Sequence, residues 1–597
     1  MKDFLRSMLA SLAALVVFAG GILVCLAAVT FVVSTGNPAV TPRSVLILNL
    51  STSFPDSVQD PNPAGLIQRA VGGSEVPALP LEGVLQALDR AARDHAISAL
   101  YLTGNVRAQG YGSGPAALKE LREAILRFKA ESGKPVIAYN HVWNRREYYL
   151  CAGASRLYVN PFGEVDVTGL SAEPMFFAGA LRKYGIQVQV TRVGRYKSAV
   201  EPYLLDRMSD ANREQVSALL GDIWDDWTRA VAGDRNLTAA DLQGLSDRKG
   251  VLSGPEAQAA HLVDRTATPD QVLDELKALA GRKASDLEFP QVDLETYMRM
   301  PVQDQGHNRI AVVYAEGEIV DGPGRLGQVG GDRVSRELRK LRLDPQVKAI
   351  VLRVNSPGGS AMASDLIQRE VILARKVKPL VVSMGYLAAS GGYWISTYGD
   401  RIFAEPNSIT GSIGVFGLLP NVRKLANDHG ITFDRVQTSR LAGMDSIVRP
   451  KTQEELDRVQ AEVDRTYDQF VDRVAASRHL TRAQVEAVAQ GRVWSGRQAL
   501  KVGLVDELGG IESAIRYAAK QAKIEGDYHV DSPGEPRSTL ERLLRMLGDS
   551  EERAYSQAGT DPLAQLGDRL GKVLAAVQTL NDPRGVYARL PFDLNLR

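Results

Sequence analysis

Shifted against itself by about 245 residues, the chain shows six matches in the same order, and this internal repeat constrains its fold more than any other feature. Arg43–Leu50 (RSVLILNL) answers Arg309–Tyr314 (RIAVVY), and Ala99–Thr103 answers Ala349–Arg353. Gly133–Ile137 answers Val377–Val381, Val167–Gly169 answers Ile409–Gly411, and Arg192–Gly194 answers Arg435–Gln437. Leu252–Gly254 with Leu262–Asp264 answers Trp494–Gly496 with Leu504–Asp506. Two homologous domains follow.

Each copy reads as short, continuous apolar strands separated by helical patterns, which is the α/β signature of a largely buried sheet. Thr452-x-x-Glu455 is a capping box opening a long helix. Its apolar positions Leu456, Val459, Val463, Tyr467, Phe470 and Val474 recur in steps of three and four. The first copy answers with Val216, Leu219, Ile223 and Trp227, after Ser209. Both stripes should pack on their own sheet or on the neighbouring copy. The expected domains are 38–290 and 300–525, with a polar, Pro-containing connector over 281–306. The repeat is exhausted beyond about residue 525, and the tail 526–597 reads as one or two amphipathic helices with no function attached.

Ahead of the first copy, residues 1–37 hold an uncharged apolar run from Met8 to Val33. A bilayer core needs about 20 such residues, whereas the apolar part of a cleavable signal peptide has about 7–15. The run therefore reads as an uncleaved transmembrane anchor. Lys2 and Arg6 precede it and no basic residue follows until Arg43, which leaves the N-terminus cytoplasmic. In a double-membrane bacterium the anchor then sits in the inner membrane and the body is periplasmic. A lipid anchor at Cys25 is disfavoured because Val24 precedes it.

A formal net charge of +1 gives no reason to expect nucleic acid as a partner. Two cysteines, Cys25 and Cys151, cannot make a zinc set, and seven scattered histidines show no HExxH or close pair. No cofactor or metal is expected. Gly322–Gly327 formally satisfies GxGxxG, but Pro323 spoils the tight turn a dinucleotide fold requires.

The chemistry concentrates in the second copy. Met384–Trp394 (MGYLAASGGYW) sets one hydroxyl, Ser390, beside two glycines. Small neighbours let a substrate backbone approach, and bare glycine amides can face a developing negative charge. Alone, the stretch equally suits a turn opening a helix. Asn355–Ser360 (NSPGGS), directly after an apolar strand, adds a second turn whose amides can point outward. Gly358, Gly359 and Gly391 are thus candidate oxyanion-hole residues. Ser390 lacks the GxSxG elbow of the α/β-hydrolases, since Ala388 replaces the first glycine.

NSPGG after a strand, Ala388-Ala-Ser390-Gly-Gly-Tyr-Trp394 and Ile409-Thr-Gly-Ser-Ile-Gly414, taken together, resemble the signal peptide peptidase family. The resemblance covers roughly residues 1–525, to the end of the repeat. It implies two tandem domains of the Clp protease/crotonase fold behind one membrane anchor. It also implies a Ser/Lys dyad with the serine from the second domain and the lysine from the first. The lysine motif is matched by Arg192–Pro202 (RVGRYKSAVEP), making Lys197 the expected general base, and Ser412 matches a second serine that orients the amine. Taken alone, Lys197 reads as a surface residue. The repeat adds a hint: Ser390 corresponds to about Arg145 and Lys197 to about Arg440, so neither half is a complete enzyme.

An ordinary lysine titrates near ~10.4 and must approach ~7–8 to act as base, a change worth about 4 kcal/mol that burial in an apolar cleft can supply. The expectation is a membrane-anchored serine endopeptidase for hydrophobic peptides such as cleaved signal peptides. The resemblance further implies a homo-oligomer, a tetramer, in a ring or dome. A silent scaffold and an acyl-thioester hydrolase are the alternatives, and a serine-reactive probe separates the first of them.

Overall fold

The computed structural model describes residues 40–57, 77–301, 306–325, 327–531 and 586–590. The apolar run 8–33 and Cys25 lie outside these residues; among the described residues no helix is long and apolar enough to cross a membrane.

The repeat folds into two sheets of one design. In the first, Ser44–Asn49, Ile97–Thr103, Val136–Trp143 and Arg156–Asp166 lie side by side and parallel. In the second, Asn308–Glu316, Val347–Ser356, Leu380–Ala389 and Ile409–Gly411 repeat that order, again parallel. Each sheet ends on one side in a short antiparallel strand, Val251–Ser253 or Val493–Ser495. Parallel strands with helices on both faces have no solvent side, so every residue of Leu380–Ala389 is buried.

The opposite edges carry strands lying just past the expected domain limits. Gln291–Asp293, within the connector, pairs with Ser44–Asn49, and Tyr528–Asp531 pairs with Asn308–Glu316. Sequence matching missed both because an edge strand this short carries no apolar run to align.

The copies diverge where they meet. Gln187–Val193 forms a strand, whereas its counterpart around Arg435–Gln437 forms none. Gln187–Val193 crosses to the second copy and pairs antiparallel with Val415–Asn421, from Asn421 opposite Gln187 to Val415 opposite Val193. A third sheet, of six strands, thereby joins the halves.

The long helices lock this junction. Asp210–Arg235 places Leu219 and Ile223 against Tyr386, Leu387, Ala389 and Ile409, so a first-copy helix packs on the second-copy serine strand. Gln453–Arg478 opens on the Thr452/Glu455 capping box and buries Val463, Tyr467, Phe470 and Val474; Leu456 and Val459 stay half-buried. Between the copies Arg353, wholly buried, donates to Asp56 at 2.8 Å, to Glu120 at 2.6 Å and to Ser383 at 2.8 Å. Two carboxylates from one copy thus enclose a guanidinium from the other, and the pairing keeps the guanidinium charged although burial opposes it.

Candidate active site

The serine strand ends in a strained elbow. Ser390 sits at φ 55°, ψ −111°, outside the regions a side-chain-bearing residue normally occupies, at a cost of about 1–3 kcal/mol. Its amide donates to Gly411 O at 2.8 Å and its carbonyl accepts from Trp394 N at 2.8 Å, so the surrounding strands and the helix Gly391–Ser396 hold the angle. Trp394 packs on Phe470 with ring centroids 4.5 Å apart, seating that helix. The glycines after Ser390 are required by space: a Cβ on Gly391 would stand 2.7 Å from Ser364 Oγ, and one on Gly392 would stand 2.6 Å from Ser356 O.

Lys197 arrives from the other copy on the loop that follows Gln187–Val193. Its Nζ lies 2.8 Å from Ser390 Oγ, 3.1 Å from Ser412 Oγ and 3.3 Å from Ser412 O. Both Lys197 and Ser390 are fully buried. Burial alone pushes the amine well below the ordinary lysine range, and no carboxylate contributes to that shift. A neutral amine beside a hydroxyl can take the hydroxyl proton, which is the requirement for an activated serine.

Several second-copy and first-copy residues hold the lysine loop. Tyr196 N donates to Gln490 O at 2.9 Å, and Gly491 lies so close that a Cβ there would be 2.6 Å from Lys197 N. Gly414 makes room on the other side, its virtual Cβ being 3.2 Å from Lys197 Cδ. Gln215 Nε2 donates to Tyr196 O and to Ser198 Oγ, each at 3.1 Å, while Gln215 Oε1 accepts from Val493 N at 3.2 Å. Ser198 Oγ donates to Asn212 Oδ1 at 2.9 Å, and Asn212 Nδ2 donates to Glu201 Oε2 at 3.0 Å. Sequence reasoning missed this second layer. The repeat carries no signal for it: with Leu252 matched to Trp494, Gly491 falls opposite Lys249.

The three candidate oxyanion residues divide. The Gly358 amide donates to Ser356 Oγ at 3.1 Å and is engaged there, although φ 96° and its crowded surroundings still demand glycine. Gly359 and Gly391 remain as the candidate donors.

In the first copy Asn144 stands where the serine would be, at the head of the helix Arg145–Cys151. The next residue, Arg145, turns its guanidinium onto Thr168 O at 2.7 Å and Gly169 O at 2.6 Å. Arg440, aligned with Lys197, is on the surface and pairs with Glu454 at 2.9 Å. The GxGxxG stretch lies between the parallel strands Glu318–Val320 and Gln328–Gly330, not at a strand-to-helix turn.

A strained serine, a desolvated amine on its hydroxyl and glycine amides around it make a site for acyl transfer by a covalent serine route. Residues 129–283 and 372–525 match the family described as Peptidase family S49, once in each copy. Protease 4 of Salmonella typhi is 33% identical over 566 residues, covering 92% of this chain and 91% of that protein. Protease 4 of Haemophilus influenzae is 35% identical over 598 residues, covering 96% and 95%. The chloroplastic serine protease SPPA of Arabidopsis thaliana is 32% identical over 474 residues, covering 77% and 69%. The chain belongs to peptidase family S49, and it is a serine protease.

Proposed function

We propose that this peptidase works through a Ser390/Lys197 dyad completed only when the two copies meet. The observation that carries the reading is the 2.8 Å contact between Nζ and Oγ, made by a buried amine with no carboxylate to keep it charged. Lys197 takes the Ser390 proton as Oγ attacks a peptide carbonyl, and the carbonyl oxygen becomes an oxyanion facing the Gly359 and Gly391 amides. The protonated lysine then gives its proton to the departing amine, leaving an ester on Ser390. Water enters by the same route in reverse order, with Lys197 as base, and frees the carboxylate. Ser412 holds the amine in line, as its 3.1 Å contact allows.

Its substrates are extended hydrophobic peptides, cleaved signal peptides among them, and the body acts on the periplasmic side, anchored in the inner membrane through residues 8–33. The preference follows from the likeness to the signal peptide peptidase family. We also infer a homo-oligomeric ring, a tetramer by family likeness. Gln187–Val193 docks one copy on the next within the chain, while the matching second-copy segment exposes Ile431, Phe433 and Val436, ready for the first copy of another chain. Ser390→Ala and Lys197→Ala should each abolish peptide hydrolysis without unfolding the protein. Normal turnover by Lys197→Ala at neutral pH would sink the dyad.

A further inference from the structure

The first copy has the outline of the serine site without its nucleophile. Asn144 stands at the serine position, and Arg145 stands where the second copy places Gly391. Gly112-Ser113-Gly114 leads into the helix Pro115–Ser132 as Gly358-Gly359-Ser360 leads into Ala361–Ala374. A cavity of about 130 Å³ opens between these parts, and Tyr386 and Asn407 of the second copy close it. The volume suits one side chain, since a cavity of about 150 Å³ holds benzene.

The polar groups of this cavity call for an anion. Arg145 lines it, half-buried, and makes no ion pair among the described residues. Its hydrogen bonds, to Thr168 O, Thr168 Oγ1 and Gly169 O, all leave from Nη1, so Nε and Nη2 stay uncommitted. Burial pushes the guanidinium pKa down and outweighs the pull of Asp166, as expected of a charge short of a counter-charge. The helix Pro115–Ser132 begins at the cavity with no side-chain cap, whereas Ser360 caps Ala361–Ala374 by accepting from Ala363 N at 3.2 Å. Its first amides and positive end therefore face the same space. Tyr149 and Asn407 also line the cavity, each only 4% exposed, and Tyr149 OH and Asn407 Oδ1 have no hydrogen-bond partner among the described residues. Such burial costs about 1–3 kcal/mol per group, which a ligand would recover. The one carboxylate on the wall, Asp226, is matched by Arg497 at 2.6 Å. Ile223 and the stacked rings of Trp224 and Trp227, 4.8 Å apart, make the rest apolar.

We propose that this cavity binds the C-terminal residue of a peptide. The carboxylate meets Arg145 and the open helix end, and Tyr149 OH donates to one of its oxygens. The amide N–H of the same residue donates to Asn407 Oδ1, and its apolar side chain lies against Ile223 and Trp224. A carboxylate, an adjoining N–H and an apolar group occur together at the end of every apolar peptide, and capture of chain ends by backbone amides is a known mode of recognition. The Gly391 amide is placed for an oxyanion that forms and collapses. A guanidinium at the equivalent place, with no nucleophile beside it, holds a charge that lasts. The first copy thus docks released chain ends, and it needs neither Ser390 nor Lys197 to do so.

The test is calorimetry on the full chain carrying Ser390→Ala. Its ligands are an acetylated tripeptide ending in leucine, as the free acid, and the same peptide as its C-terminal amide. The acid should bind at least tenfold more tightly. Adding Arg145→Met should bring the two affinities together. Adding Tyr149→Phe, which removes one hydroxyl from an unchanged ring, should weaken the acid at least threefold and leave the amide alone. Equal binding of acid and amide overturns the proposal, and so does a preference for the acid that survives Tyr149→Phe undiminished. An Arg145→Met chain that fails to fold leaves Tyr149→Phe to decide. Hydrolysis of amide-capped peptide by the wild type is measured separately, and its absence would sink the dyad reading without touching this cavity.

Discussion

Lys197 Nζ touches Ser390 Oγ at 2.8 Å although 193 residues separate them and each belongs to a different copy of the repeat. Because burial lowers the amine's pKa, kcat/KM should rise with pH through a limb well below the ordinary lysine value of ~10.4. Lys197→Arg keeps a cation that cannot act as base, so it should lose about 10³-fold or more in kcat and abolish the limb. The sign for stability is the same. Between the lowered folded pKa and ~10.4 the unfolded chain binds the extra proton, so stability rises with pH over that window. Lys197→Met should flatten that slope in denaturant titrations.

Mixing the two inactive variants should restore nothing. One chain carries both residues of the proposed dyad in contact, so Ser390→Ala and Lys197→Ala protomers assembled together each lack one half of their own site. Recovered hydrolysis in a co-assembled mixture would show the contact to be made between chains instead.

Gly491→Ala tests how tightly the lysine loop is held. The backbone there is at φ 79°, and the added Cβ would press on Lys197 N from 2.6 Å, so the amine must shift. A displacement on the order of 1 Å can cost about 10²-fold in rate. Steady-state kinetics should show the loss in kcat, and the thermal midpoint should fall as well, because alanine is strained at this φ.

Gln215→Leu should act on position alone. It removes donors to Tyr196 O and Ser198 Oγ and leaves those buried acceptors and Val493 N short of a partner, for about 1–3 kcal/mol. The expected signature is reduced kcat with an unaltered acid limb, because the lysine's burial is kept.

Arg353→Met should damage the protein without touching chemistry. Asp56 and Glu120 would be left buried and unpaired, for which about 3–5 kcal/mol is the usual penalty. Chemical denaturation should report it, and raising the pH should deepen it, since Glu120, whose pKa burial raises, then ionises without its counter-charge.

Much of this architecture is legible in the residues. Continuous apolar runs such as Leu380–Ala389 announce buried parallel strands, and the order of the matches announces two copies. Ser390 and its glycines are local, so a motif reveals them. Lys197 is different: Tyr196 and Ser198 say nothing about burial, and only the crossing of Gln187–Val193 onto Val415–Asn421 desolvates it. The engaged Gly358 amide and the role of Gln215 depend on backbone directions that no spacing encodes. Val586–Leu590 is the hardest to read, since its partners Gly358–Ser360 and Val415–Asn421 lie far upstream in the second copy and it belongs to no copy of the repeat.

The strand that delivers Lys197 lies at the outer edge of its sheet, paired on one side only. Edge elements open at lower free energy than the core they border. Activity should therefore disappear at a denaturant concentration where tryptophan fluorescence and helix content are still native. With Lys197 as the proposed base, catalysis is a gauge of one seam, and activity should be lost by fraying there before the chain unfolds.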